Sequence, residues 1–175
     1  MKKPIIIGVI AFAVIGIGVA LSIPDRKINE LKTTEDKSAQ QVGESFENQG
    51  QTHIEPGATH DPYNSNPPTS GPHYAQPTNW GIYSTPLKDE QAIHNLEHGG
   101  IWISYKDIDE QTKSQLEAIA KANSGSVILS PRSNNDAKIT LSSWLRQTKL
   151  DNYDEAKILE FIKANKNKSP EPIAQ

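Results

Sequence analysis

The hydrophobic residues of this 175-residue chain fall into two arrangements. Residues 4–23 form one uninterrupted apolar run, whereas from residue 88 onward apolar positions recur at the intervals of short helices and strands. An apolar run of about 20 residues is long enough to cross a bilayer as a helix. The pattern therefore predicts one membrane segment, then a polar stretch, then a single folded domain.

The first half of the predicted domain core contains a helix, a strand and a second helix. Residues 89–98 predict a short helix, because two glycines follow it at once and glycine accepts the left-handed cap. The aromatic and β-branched residues 101–105 predict a strand. Asp107, with Glu110 as the capping-box partner, predicts the start of a second helix that ends near residues 123–125.

The second half of the core predicts two more strands and a last helix. Residues 126–130 and 138–141 have strand composition, with a turn cluster between them. Trp144 follows as a core candidate, and residues 153–164 place apolar side chains on one helical face. These elements predict a small single α+β domain, a short mixed sheet with two to three helices.

Residues 53–86 have a different character. Prolines recur throughout this segment and forbid a long helix or a central strand. Its aromatic residues indicate a loop that wraps over the core instead of extending freely into solvent.

The ends of the chain predict its organisation around a membrane. Lys2 and Lys3 precede the apolar run, so the positive-inside rule predicts a single-pass protein at the cell membrane with its C-terminal domain outside the cytoplasm. A secretory signal cleaved near the small-x-small sequence Ala20-Leu21-Ser22 is the alternative, and would release a secreted domain. The predicted division is an anchor (1–23), a polar linker (24–51), the domain (52–165) and a flexible tail (166–175).

Composition excludes several classes of site and partner. The chain has no cysteine, which removes thiolate zinc sites, thiol nucleophiles and disulfides together. Met1 is its only methionine, so a thioether site for Cu(I) is excluded as well. The formal net charge is −3 and no basic stripe is present, which argues against nucleic acid as a partner.

The histidines are the strongest chemical signal. All five lie between His53 and His98. Imidazole is the commonest metal ligand, so this clustering predicts a metal site. His94 and His98 are four residues apart on the predicted helix and project from one face within reach of one ion. The alternative is that both rings cap carbonyls at the helix end, where the helix dipole favours imidazolium.

Glu97 adds a possible catalytic role. The string His94-x-x-Glu97-His98 matches the H-x-x-E-H pattern of inverzincin metallopeptidases, in which the glutamate serves as base. Two glycines end the helix immediately after this motif, whereas those enzymes carry it inside a long helix. The match is therefore weak support for a hydrolase.

Two histidines on the proline-rich loop complete the predicted ligand set. His53 and His73 can reach an ion held by the helical pair, and Gly71 marks a tight turn that fixes the direction of His73. His60, beside Asp61-Pro62, is expected to be exposed and uninvolved. The residues expected to support the loop are Tyr63, Pro68, Ser70, Gly71 and Tyr83.

Taken in order, the strings HIEPG, YNSNPPTSGPHY, GIY, HNLEHGGIWISY and LSSWLRQTKLD closely resemble a prokaryotic family of membrane-anchored domains of unknown function. The resemblance covers about residues 52–161 and implies one N-terminal anchor with an outer domain, but no activity. All the predicted ligands and the glutamate match signature positions of that family: His53, His73, His94, Glu97 and His98. His60 does not match one.

Three functions follow as predictions. The leading one is metal binding or handling outside the cytoplasm through His53, His73, His94 and His98, with Glu97 as a substitute ligand or an orienting group. Nitrogen and carboxylate donors without sulfur suit Zn(II) or Cu(II). The second is a metal-dependent hydrolase with Glu97 as base. The third needs no metal: the PPTSGPHY loop docks a partner protein.

Overall fold

The computed structural model describes residues 40–175. The predicted anchor and most of the predicted linker lie outside the described residues. Within residues 40–175, no helix combines the length and apolar character needed to cross a membrane.

The described chain alternates short strands with three helices. The strands are β1 (Glu44–Ser45), β2 (His53–Ile54), β3 (His73–Tyr74), β4 (Gly81–Ile82), β5 (Ile101–Tyr105), β6 (Val127–Pro131), β7 (Ile139–Ser143) and β8 (Arg146–Leu150). The helices are α1 (Asp89–Glu97), α2 (Glu110–Ala122) and α3 (Glu155–Asn165).

Six strands form one mixed sheet in the order β1-β8-β7-β5-β6-β4. Strand β5 pairs parallel with β6 and antiparallel with β7. Because parallel neighbours need a crossover connection, α2 lies between β5 and β6 in the chain. Strands β2 and β3 pair parallel as a separate two-stranded ladder. The predicted α+β class with a mixed sheet is confirmed, and it has three helices.

The sheet separates two hydrophobic clusters. Alternate residues of β5 point to opposite faces, so Ile101 and Ile103 join one cluster while Trp102 joins the other. The first cluster includes buried residues of α2 and α3, such as Leu116 and Phe161. In the second cluster, buried residues of α1 pack with Trp102, and this packing holds α1 against the sheet.

Strand β8 is absent from the sequence prediction. Its residues RQTKL are mostly polar and lack the composition of a buried strand. The strand forms because a tight turn at Leu145, with φ of +60°, folds the chain back onto β7. Gln147 is buried there and donates to the carbonyl of Pro67 at 2.9 Å, so tertiary contacts stabilise this polar strand.

The predicted start of α2 is wrong by two residues. The side chain of Asp109, not of Asp107, caps the helix by accepting a hydrogen bond from the Thr112 amide at 2.7 Å. Asp107 instead occupies the preceding turn with φ of +49°. The last helix likewise begins later than predicted, because Asp154 caps it.

Backbone pairing in the described structure begins before residue 52 and continues after residue 165. The linker was predicted to reach residue 51, but β1 already pairs with β8, Glu44 facing Gln147. The tail was predicted to fray after residue 165, but the amides of Glu171 and Ile173 donate to the carbonyls of Glu97 and His98, both at 3.1 Å. These carbonyls have no partner within α1, so the end of α1 gives the tail a place to bind.

Candidate metal centre

Helix α1 carries His94 and Glu97 because of its amphipathic pattern. Ala92, Ile93 and Leu96 are completely buried against the sheet. His94 and Glu97, one turn apart, are buried as well, in contact with the proline-rich loop. The helix ends with His98 as its C-cap, since Gly99 adopts a φ of +84° that favours glycine.

The short β2–β3 ladder brings the two loop histidines together. His53 and His73 are direct partners in its parallel register, and the His73 amide donates to the Thr52 carbonyl at 3.0 Å. Their ring centroids lie 4.9 Å apart. A separation of 20 residues in sequence thus becomes direct contact in the fold.

Four donor groups converge at this point. One ligand atom from each of His53, His73, His94 and Glu97 lies within 4.8 Å of all the others. The His94 ring centroid is 5.1 Å from that of His53 and 5.2 Å from that of His73. The His53 side chain is 50% exposed, whereas that of His73 is fully buried. The group is therefore closed towards the core and open to solvent at His53.

The His73 ring is held in one orientation by two contacts. Its Nδ1 donates to the Gly71 carbonyl at 2.8 Å, since a carbonyl can only accept. Its Nε2 is directed at Oε2 of Glu97, at 3.0 Å. In the neutral ring, Nε2 therefore carries the lone pair that binds metal ions.

The His94 ring has the same arrangement. Its Nδ1 donates to the Tyr74 carbonyl at 2.6 Å, so in the neutral ring the lone pair is on Nε2, which lies 2.8 Å from Nε2 of His98. Burial lowers the pKa of His94, and the neighbouring His98 and His73 lower it further. The hydrogen bond to the Tyr74 carbonyl and the charge of Glu97 raise it, but the net pKa is lowered. The lowered pKa favours the neutral, metal-binding form of the ring.

Glu97 is the acidic member of the group. Burial alone would raise its pKa, but the Gln51 side chain donates to Oε1 at 2.8 Å and His73 and His94 add favourable interactions. The net result is a lowered pKa, so Glu97 is ionised. Gln51 holds Oε1, while Oε2 faces the Nε2 atoms of His73 at 3.0 Å and His53 at 3.6 Å.

The other two histidines lie outside the group of four. The Nε2 of His98 lies 2.8 Å from that of His94, and its Nδ1 donates to the Glu171 carbonyl at 3.2 Å. Ligation by His98 stays a prediction. His60 is apart from the group, with its Nε2 3.5 Å from Oε1 of Glu90, and is less exposed than expected.

The supporting loop is largely buried. Pro68, Ser70 and Gly71 are shielded from solvent, and the Ser70 hydroxyl accepts the Gln49 amide at 3.0 Å. The Tyr63 hydroxyl donates to the Pro72 carbonyl at 2.6 Å, and burial raises the pKa of Tyr63, so the hydroxyl remains a donor. Such a loop offers little free surface, which counts against its use for docking a partner.

Tyr83 supports the neighbouring segment instead. Its amide donates to Leu129 at 2.8 Å, and its hydroxyl donates to the Asn79 carbonyl at 2.6 Å. Asn95 of α1 anchors the same segment by exchanging two hydrogen bonds with the Thr78 backbone, at 3.0 and 2.9 Å. This connection ties the loop to the helix that carries His94.

Gln51 and Asn95 also support the group of four, and neither was predicted from the sequence. Asn95 sits inside the HNLEHGG string, so its place between two histidines was a usable signal. Gln51 had none, because a lone glutamine before a loop is common and its contact with Glu97 spans 46 positions.

Comparison with known proteins gives one match. The family model described as "Protein of unknown function (DUF3105)" matches residues 53–175. Neither the curated proteins nor the solved structures contain a match to the chain.

Proposed function

We propose that the domain of this chain, which belongs to the DUF3105 family, binds a transition-metal ion. The function of that family is unknown, so membership by itself implies no activity. The ligands are His53, His73, His94 and Glu97. The single observation that supports the proposal most is the convergence of their donor atoms, with the Nδ1 atoms of both buried rings bound to backbone carbonyls.

The contact between His73 and Glu97 calls for a positive charge. Nδ1 of His73 donates to a carbonyl, so in a neutral ring the lone pair of Nε2 faces Oε2 of Glu97 at 3.0 Å. Two acceptors at this distance repel each other unless a cation lies between or beside them. A divalent ion satisfies the carboxylate and the ring together.

A proton on His73 is the competing explanation. It would make a buried ion pair with Glu97, with the His94 ring only 5.2 Å away. A second proton, on His94, would repel the first by about 3 kcal/mol at an effective dielectric constant of about 20. The lowered pKa of His94 agrees with a neutral ring, whose Nε2 lone pair can bind a metal ion.

The donor set favours a borderline ion. Three imidazoles and one carboxylate, with no sulfur, suit Zn(II) or Cu(II). Since the centre ties the β2–β3 ladder to α1, the ion also connects a loop of little regular structure to the helix. Binding energy at such a site is at the same time stabilisation of the fold.

Metal content of the full chain, purified in detergent, tests the proposal. We expect one equivalent of bound metal and a fall in melting temperature on chelation. At an ion concentration 100 times Kd, the gain in the free energy of unfolding is about 2.7 kcal/mol. Absence of stoichiometric metal together with unchanged melting would rule the function out.

Two histidine variants make this test specific. His53→Ala removes a half-exposed ligand and should weaken metal binding at least about tenfold while the metal-free protein melts as before. His60→Ala is the matched control, because His60 lies outside the group and its loss should leave binding unchanged.

A hydrolase remains the second candidate because a cavity borders the same β2–β3 ladder and α1. A cavity of about 620 Å³ is lined by Ile54 and Tyr74, next in the chain to two ligands, and by Gln91 of α1. If Glu97 is a base, Glu97→Gln should spare metal occupancy and abolish hydrolysis of a model ester. If Glu97 is a ligand, occupancy falls too.

We further propose that residues 4–23 anchor the protein and hold the domain outside the cytoplasm. The chain has no cysteine, so a single introduced thiol reports its location unambiguously. In intact cells a membrane-impermeant maleimide should label Ser84→Cys, at an exposed position, and reach Lys3→Cys only after permeabilisation. The reverse labelling pattern would contradict this orientation.

A further inference from the structure

The ring of His98 makes an unusual contact with that of His94. The two Nε2 atoms are 2.8 Å apart, across the last turn of α1. Both Nδ1 atoms face carbonyl oxygens, of Tyr74 at 2.6 Å and of Glu171 at 3.2 Å. Because carbonyls only accept, both Nδ1 atoms carry protons, and in neutral rings both Nε2 atoms are lone pairs.

Two lone pairs at this distance need an electron-pair acceptor. A shared proton is one solution, and a metal ion bound to both nitrogens is the other. The second solution requires no new group, because His94 already belongs to the proposed metal centre.

The nitrogen–nitrogen distance indicates the angle at the ion. With metal–nitrogen bonds of about 2.0–2.1 Å, two ligands at a right angle lie about 2.9 Å apart, and two tetrahedral ligands about 3.3–3.4 Å apart. The observed 2.8 Å between His94 and His98 matches the right angle. The 3.0 Å between His73 and Glu97 is also close to the right angle, whereas the 3.6 Å between His53 and the same Glu97 oxygen corresponds to a wider one.

We infer that His98 is a fifth ligand, at a right angle to His94, and that the centre takes Cu(II) in a tetragonal arrangement instead of tetrahedral Zn(II). This inference rests on the proposed metal-binding function. Nitrogen and oxygen donors at right angles are the usual environment of Cu(II). The C-terminal tail takes part, because the Glu171 carbonyl orients the His98 ring.

The choice between a tetragonal Cu(II) and a tetrahedral Zn(II) arrangement has to be tested by the coordination geometry and not by the metal affinity. Cu(II) binds more tightly than Zn(II) to almost any nitrogen site, so a higher affinity for Cu(II) says little about the arrangement of ligands. The number of coordinated nitrogens and the coordination number are both measurable on the metal-loaded protein.

Electron paramagnetic resonance of the full chain in detergent, loaded with one equivalent of Cu(II), counts the nitrogens. We expect His98→Ala to lose one coordinated nitrogen and to weaken Cu(II) binding at least about tenfold. His60→Ala, the same change at the histidine outside the group, should give the wild-type spectrum. An unchanged nitrogen count in His98→Ala would overturn the inference and favour the shared proton.

Visible absorption of the Co(II)-loaded wild-type chain is a second measurement that needs no variant. We expect the weak bands of five- or six-coordinate Co(II), and in His98→Ala the stronger bands of a tetrahedral ion. Strong tetrahedral bands in the wild type would overturn the inference while leaving the metal-binding function intact. Failure of the wild type to bind any ion would instead overturn the function itself.

Discussion

At the scale of single residues, the centre depends on how Glu97 is oriented. Gln51 holds Oε1 at 2.8 Å, which directs Oε2 towards His73 and His53. A polar partner behind a ligand fixes its orientation and strengthens its interaction with the ion. Gln51 contacts no other predicted ligand by hydrogen bond within the described residues, so its effect passes through Glu97.

We therefore predict that Gln51→Leu weakens metal binding by about 10–100-fold with little effect on the stability of the metal-free protein. Isothermal titration of the metal-free chain with Zn(II) or Cu(II) measures the change. Gln111→Leu, at another exposed glutamine, should bind as the wild type does. Equal affinities of the two variants would show that Glu97 needs no such support.

Gly71 is the second residue on which the centre depends, because its carbonyl holds the His73 ring. It adopts φ of +114°, and an added Cβ would lie 3.0 Å from Cε1 of Tyr63. Gly71→Ala should lower the free energy of unfolding by about 1–3 kcal/mol, through backbone strain and crowding together. Urea unfolding measures the loss.

Gly57→Ala is the control for backbone strain alone. Gly57 has a comparable φ of +87°, but nothing lies within 4 Å of an added Cβ. A larger loss at Gly71 than at Gly57 would isolate the contact with Tyr63. Equal losses would mean that Tyr63 moves aside without cost.

At the scale of elements, the helix termini show which local signals were reliable. The stop of α1 at the two glycines was predictable, because only the local backbone decides it. The start of α2 was not, since Asp107 and Asp109 are both good caps by type. The positive φ of Asp107, required by the turn after β5, leaves Asp109 as the cap.

The stability contributed by the Asp109 cap of α2 depends on pH. The hydrogen bonds from Thr112 lower the pKa of Asp109 in the folded state. A carboxyl with a lowered folded pKa adds stability above its unfolded pKa and loses it as pH falls through the folded value. Asp109→Ala should therefore melt below the wild type at neutral pH, and the difference should shrink below about pH 4.

Thermal melts between neutral and acid pH measure this difference. Asp107→Asn keeps a residue that tolerates positive φ and should melt like the wild type at neutral pH. A difference between wild type and Asp109→Ala that stays constant down to acid pH would contradict the role of the ionised cap.

Across the whole described domain, the C-terminal tail returns to the helix that carries the candidate metal ligands. Its amides bind the carbonyls of Glu97 and His98, and the last residue, Gln175, donates to Gly125 at 3.0 Å. The tail thus connects the end of α1 with the turn before β6. It completes the hydrogen bonding of a helix end that the helix itself leaves open.

Deleting residues 170–175 should lower the free energy of unfolding by about 2–6 kcal/mol, since four backbone hydrogen bonds donated by this segment are lost at about 0.5–1.5 kcal/mol each. Chemical denaturation measures it. Ile173→Ala keeps the backbone bonds and trims a side chain that is 64% exposed, so it should change stability by less than about 0.5 kcal/mol. A truncated chain as stable as the wild type would mean that the contacts of the tail do not stabilise the fold.

Features that depend on near neighbours in the chain were predictable from the residues alone. The α+β class, the three helices and strands β5, β6 and β7 followed from local composition and apolar periodicity, and the closeness of His94 and His98 followed from their spacing of four. His53 and His73 were predicted as metal ligands from residue type and clustering, but the sequence did not indicate which backbone pairing brings their rings together.

The remaining features depend on contacts between distant segments, which leave no periodic trace in the sequence and arise when the chain folds. The β2–β3 register places His53 against His73, Gln51 selects the oxygen that Glu97 presents, and the tail covers the end of α1. Strand β8 is polar and forms only through its partners. Residue types could nominate the donors, but their distances and orientations depend on backbone pairings that the whole fold creates.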